Sequence, residues 1–342
     1  MQIPLAIRSE QFGFSIDGAR FTPLILDFPH CEVWEECNVV TLSLDASPAS
    51  DLNWSLIDEK AKEYSTQGKY LFWDIDLGLG KGPLNLHDPS LFSSLSVALK
   101  HFIKTFWENY SAQTFGICLY RGTIEFHSIL KWNALHEEHL QERSFASKEL
   151  YALEVLAEYL HQLAAILPLE AEIFALFDAT SNDSSAFLAY LLSKEHFSHI
   201  QIGVFGAKAP IGSLQWKSGK TQGGYIGNKD SFIPLREDPK IGVVLPLKER
   251  IDQNILYFID DFFPLLESNE LEYRIISEAY LTEEWDGLDF LIIYSEYLSF
   301  MGKRKLSGFI AAGGRAVVIG KPVGTVGELE IYTFLENRGR GI

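Results

Sequence analysis

The chain has 342 residues, 47% apolar and 22% charged, which is enough to build two cores and too apolar for global disorder. Lys and Arg number 29 against 46 Asp and Glu, and the net charge of −17 argues against a nucleic-acid partner. Three cysteines, Cys31, Cys37 and Cys118, make no disulfide framework and point to reduced thiols in a cytoplasmic setting.

The opening residues have no basic run followed by an apolar stretch, so no signal peptide is expected. No segment reaches the roughly 18–20 apolar residues that span a bilayer, and no membrane association is expected. Ile3–Ile7 and Phe12–Ile16 read as short strands, with Asp17-Gly18 as a turn. Phe21–Phe28 is a candidate first strand of a main sheet. An alternation follows. Val39–Asp45, Tyr70–Leu77, Thr114–Tyr120, Glu172–Asp178 and His199–Phe205 are strand-like. Asp51–Thr66, Ser90–Tyr110, Ser147–Leu167 and Ser184–His196 are helix-like. Ser50 or Asp51 is the expected N-cap of the first helix, and Asp88-Pro89 opens the second. Cys118 falls inside an apolar strand and is expected in the core.

Strand and helix in this order predict parallel strands with right-handed crossovers. About six strand candidates before Phe205, each followed by a polar turn, favour a TIM-like (β/α) barrel, complete or truncated. Glycine and proline crowd Ala207–Lys240 and predict a loop and a domain boundary. After it the short apolar runs Ile241–Leu247, Glu272–Glu278, Leu288–Glu296 and Gly313–Pro322 predict a second parallel sheet. The predicted domains are 1–230 and 240–342.

In that last segment the strand Asp289–Leu298, the helix through Lys303–Ala311 and the turn Ala311–Gly320 (AAGGRAVVIG) resemble a class I glutamine-amidotransferase-like, flavodoxin-like domain. More narrowly they resemble the version that follows the barrel in some β-galactosidase-type glycoside hydrolases. Gly313-Gly314 reads as helix C-cap and turn, because glycine takes the left-handed conformation at little cost. The resemblance implies a carbohydrate ligand, glycoside-hydrolase-like function in the barrel, and a second domain that is catalytically inert and serves homo-oligomer assembly. Active amidotransferases need a cysteine nucleophile and a histidine, and residues 241–342 contain neither. Barrel glycosidases often carry Asn-Glu after the fourth strand, where this chain has Arg121-Gly122. The alternative reading is therefore a non-catalytic binding or assembly module.

Chemistry in a (β/α) barrel sits at the carboxyl ends of the strands. The candidates there are Asp74, Asp76 and Asp178 as catalytic acids, with Asp45, Trp73, Arg121 and Glu125 as substrate-binding residues. Asp74 and Asp76, two apart in a strand, share one face. They suit an acid/base pair or a divalent cation, or simply cap the following loop. Asp178 either orients a sugar hydroxyl or caps the next helix. Arg121 either clamps an anion or makes a structural ion pair. Trp73 and Trp54 serve as sugar platforms or as core. Hydrolysis needs two carboxyls about 5–5.5 Å apart for retention or about 6.5–9.5 Å for inversion.

His136, Glu137, Glu138 and His139 lack the four-residue histidine spacing of a zinc-protease helix and read as a solvated face. Asp76–Gly82 and Lys217–Gly224 are glycine-rich but lack the full phosphate-loop spacing. The basic run Lys303–Lys305 reads as the solvated end of a helix. No cofactor and no metal are expected.

Overall fold

This computed structural model describes residues 38–79, 88–123, 129–142, 148–178, 200–205 and 240–339, save single positions, with short strands inside 8–27 and 214–227. Side chains in those short strands and at 201–205 lie outside the description. So do the expected strand Ile3–Ile7, the expected helix Ser184–His196, and Glu125.

Strands β1 (Arg8–Glu10), β2 (Gly13–Ile16) and β3 (Ala19–Phe21) form an antiparallel meander. Ile16 pairs with Ala19, and the expected turn at Asp17-Gly18 lies outside the described residues. The first main strand, β4 (Ile25–Asp27), falls within the run Phe21–Phe28 that signals it.

β4 leads into a sheet with β5 (Val39–Asp45), β6 (Tyr70–Asp76), β7 (Thr114–Thr123), β8 (Ile173–Asp178), β9 (Gln201–Phe205) and β10 (Leu214–Trp216), all parallel to their neighbours. β11 (Ser218–Thr221) and β12 (Gly224–Gly227) add an antiparallel pair beside β4, giving the order β10-β9-β8-β7-β6-β5-β4-β12-β11. Ala207–Lys240 is therefore not simply a connecting loop, as its glycines suggest. Three short strands within it belong to the first sheet.

Helix α1 spans Ser55–Thr66 and ends before Gly68, which has φ +74°. It starts later than the expected Ser50 or Asp51, because those side chains bond inside the preceding loop instead. Helix α2 (Pro89–Phe102) starts where Asp88 accepts from the Ser90 amide at 2.8 Å, with Pro89 in its first turn. It runs on through a π turn at Ile103–Trp107. Helices α3 (Ala134–Glu142) and α4 (Lys148–Ala164) lie between β7 and β8.

Residues alternate across the strands. Val40, Leu42, Leu71, Trp73, Ile75, Ile117 and Ala175 face the core shared with Leu95, Leu99, Phe102 and Leu160 of the helices. The opposite face carries a closed aromatic layer of Phe72, Phe115 and Phe174, with ring centroids 5.2–6.0 Å apart. Gly116 leaves room for it, since a Cβ there would run into the Phe174 ring.

The second sheet holds β13 (Ile241–Leu245), β14 (Arg274–Ser277), β15 (Phe290–Tyr294), β16 (Arg315–Ile319) and β17 (Leu329–Glu330) in the order β14-β13-β15-β16-β17, all parallel. Helices α5 (Gln253–Ser268), α6 (Phe300–Ala311) and α7 (Ile331–Gly339) pack on it. Gly313 has φ +104°, and the Gly314 amide returns to Phe309 O at 3.1 Å, closing α6 at the expected turn. Among the described residues no helix is long and apolar enough to cross a membrane.

The strand ends of the first sheet as candidate site

Above the Phe72 layer, the face of the first sheet turned away from the helices becomes polar toward the carboxyl ends. On β5, Thr41 is fully buried while Ser43 and Asp45 are exposed. On β6, Asp74 is buried and Asp76 half-buried. Asp45 and Asp76 are neighbours in register. Their carboxylates also organise the loops that follow. Asp76 Oδ1 accepts from the Gly78 amide at 3.0 Å. Asp45 Oδ1 accepts from Ser47 N at 3.0 Å and Ser47 Oγ at 2.6 Å. The same loop holds Leu52 at φ +53°, a conformation rare outside glycine.

Arg121 reaches this face through an irregularity in β7. Cys118 pairs with Phe174 but Tyr120 pairs with Ala175, so β7 carries one extra residue there. The insertion reverses the side-chain alternation beyond it. Tyr120 turns to the helix side, 5.0 Å from the Phe177 ring, and Arg121 turns to the side of Asp74. Arg121 Nη1 donates to Asp74 Oδ2 at 3.0 Å, with 33% of the arginine side chain and 10% of the aspartate side chain accessible. Cys118 lies beside the pair. Burial pushes its thiol well above the usual range, with the Asp74 charge adding to the shift. It is a free, buried cysteine.

The other expected site residues are placed as follows. Asp178 ends β8, in register with Thr123 and Phe205, with its side chain outside the description. Trp73 is fully buried on the helix side, its indole N–H on Thr114 Oγ1 at 3.0 Å and its ring 4.7 Å from Phe106. It therefore offers no open face to a sugar. Trp54 is buried too and donates to Asp45 O at 2.9 Å, anchoring the loop. His136 is not on a solvated face. It is buried against Trp132 and Tyr151, and its Nδ1 accepts from Asn133 N at 3.2 Å. Among the described residues no group of three or more His, Cys, Asp or Glu side chains is set to hold a metal ion.

The strand ends of the second sheet are filled from within. Tyr294 stacks on Phe258 at 4.6 Å and on Tyr297 at 4.8 Å. The Tyr297 hydroxyl donates to Asp252 Oδ1 at 2.9 Å. Asp252 in turn accepts from the Asn254 and Ile255 amides at the start of α5. At α6, buried Glu278 accepts from Ser299 N at 3.1 Å and from the Ser299 hydroxyl. Helix N-termini attract anions, and the protein's own carboxylates already take both of these.

No family model matches the chain, and no curated protein is similar to it. Solved structures do match. A β-galactosidase from the psychrophilic Marinomonas ef1 superposes with a TM-score of 0.55 at 6% identity, over 87% of this chain and 75% of that one. A β-galactosidase from the Antarctic haloarchaeon Halorubrum lacusprofundi gives 0.48 at 8% identity, over 86% and 72%. An exo-β-1,4-mannosidase from Opitutaceae bacterium strain TAV5 gives 0.43 at 12% identity, over 95% and 80%. The likeness to the Marinomonas enzyme is one of fold: a mixed α/β architecture built on parallel sheets.

Proposed function

We propose that the chain is a carbohydrate-active, glycoside-hydrolase-like protein that acts on or binds a saccharide at the carboxyl ends of its first sheet. The observation that carries this reading is the Asp74–Arg121 pair, set with Asp76 and Asp45 on one open, polar face above a closed aromatic floor. Residues 1–230 form a (β/α) barrel in this reading. β10 and β11 stand at opposite ends of the pairing order yet are separated by one residue of chain, which supports closure of the ring through Leu214–Thr221. Residues 240–342 form an inert flavodoxin-like, amidotransferase-like unit. Its strand order of 2-1-3-4-5, counted from β13, supports that assignment, as do the plugged strand ends. Homo-oligomer assembly through this unit and a cytoplasmic setting complete the proposal. Exposed Phe300 and Met301 support the first and the free thiol of Cys118 the second.

Within the site, Asp74 accepts from Arg121 and holds the guanidinium in place. Asp76 and Asp178 are then the carboxyls to share proton transfer and attack, with Asp45, Arg121 and Glu125 placing the sugar. The test is Asp→Asn at 74, 76 and 178, assayed on a panel of aryl glycosides. Loss of at least about a hundredfold in kcat/KM is expected in the Asp76 or Asp178 variant. Undiminished turnover in all three removes the assignment. Saturable saccharide binding by a wild-type protein that turns over no glycoside leaves the binding-module reading instead.

A further inference from the structure

Helix α4 is covered on more sides than a sheet-packed helix requires. Leu150–Ala157 are buried at every position, whereas a helix resting on one sheet exposes a polar stripe. Most of that cover comes from the first unit, because the buried apolar residues of α4 from Tyr151 to Leu163 belong to the core beneath the first sheet. Leu150 does not. It is 1% exposed and belongs to the core of the second sheet, together with Ile255 and Phe263 of α5 and Phe334 of α7. All the other buried members of that cluster lie between Ile241 and Leu335. The first turn of α4 is also tied from the first unit. Lys148 Nζ lies 3.2 Å from Glu137 Oε2 and 4.7 Å above the Trp132 ring.

α4 is the helix before β8 in the β7-to-β8 crossover, and those strands carry Arg121 and Asp178 at their carboxyl ends. We propose that Leu150 is a positioning residue through which the second unit braces the site. By taking Leu150 into its core, the second sheet fixes the start of α4 and, through it, the ends of β7 and β8. The second unit then has a mechanical role while carrying no chemistry. The reference to a site rests on the function proposed above; the coupling itself does not.

Hydrogen exchange of the full chain tests it. In Leu150→Ala, amides of 148–164, of 253–268 and of the β7 end at 119–123 are each expected to exchange at least about tenfold faster, because a cavity opens in a core the two units share. Leu150→Met, which conserves volume, is expected to restore all three to within about twofold. Leu163→Ala, on the same helix but in the first core alone, is expected to accelerate 148–164 and leave 253–268 unchanged. The proposal is overturned if Leu150→Ala leaves 253–268 or 119–123 at wild-type rates, or if Leu163→Ala accelerates 253–268 as strongly. None of these readings depends on turnover, so a failed glycoside assay and a failed coupling test are told apart.

Discussion

The two larger sheets of this protein are built mainly of parallel strands, and both turn their strand ends toward loops that begin helices, yet the two ends are filled differently. In the first, Ser43 and Asp45 are exposed, Asp76 is half-buried, and Arg121 is a third accessible beside Asp74. In the second, Tyr294 at the end of β15 is stacked with Phe258 and Tyr297, while Asp252 and Glu278 take the donors of α5 and α6. The contrast shows that a parallel sheet offers a position for a site without making one. A site also needs strand-end groups that the fold leaves facing solvent.

The largest way to break this comparison is from below. The polar end of the first sheet rests on Phe72, Phe115 and Phe174, and Gly116 is what lets Phe174 sit there. Gly116→Ala is expected to destabilise the protein by about 1–3 kcal/mol, the usual cost of overpacking a filled core. The loss should appear in urea unfolding as a lower midpoint at unchanged slope. A midpoint equal to wild type would mean that the aromatic layer yields, and that the open end does not depend on a rigid floor.

A smaller effect is expected from the ion pair. Arg121→Met leaves the Asp74 carboxylate buried without its cation. Fully buried pairs cost about 3–5 kcal/mol when halved. The guanidinium here is 33% accessible, so solvent already screens it, and about 1–2 kcal/mol is the better expectation. Asp74→Asn added to Arg121→Met should recover part of that loss, because the buried charge is then gone. Strictly additive losses would show that the two side chains do not act as a pair.

Much of this architecture is legible in the chain because it depends on local chemistry. Ile241–Leu245 reads as a strand since both faces are buried and apolar, and Val39–Asp45 since it opens on buried Val39-Val40 and then alternates apolar and polar residues. Asp88-Pro89 and Gly313-Gly314 mark helix ends through caps that need no tertiary partner. The strands at 214–227 are not legible because runs of three or four residues carry no period, and pairing with β9 and β4 defines them. α1 starts later than its residues suggest because Ser50 and Asp51, good caps by type, bond within the Asp45 loop. For the site, the alternation along Trp73–Asp76 puts both aspartates on one face. Arg121 is a different case. It lies 47 residues from Asp74, and its facing is set by one extra residue in β7, which no spacing rule in the sequence reveals.

The finest contrast concerns how each unit responds to alkali, for each holds a tyrosine hydroxyl on an aspartate. Tyr110 donates to Asp58 at 2.9 Å in the first, and Tyr297 to Asp252 at 2.9 Å in the second. Burial, helped by the aspartate bond, pushes both phenols up to about 12. A phenol raised in the folded state keeps its proton while the unfolded one loses it near 10. Stability is therefore fully present below about pH 10 and falls as pH rises toward 12. At the acid end Asp252 behaves oppositely. Burial draws its carboxyl upward, but the Ile255 and Asn254 amides and the Tyr297 hydroxyl outweigh that and hold it below the usual range. Its contribution is present above about pH 4 and is lost as pH falls through the lowered value. Both effects should be small, since these groups are largely solvated. Tyr297→Phe should remove part of the alkaline fall in urea midpoint and, through Asp252, soften the acid fall. Tyr110→Phe should remove a similar part of the alkaline fall. If Tyr297→Phe changes neither limb, the hydroxyl does not hold Asp252, and the second sheet's strand ends are closed by ring packing alone.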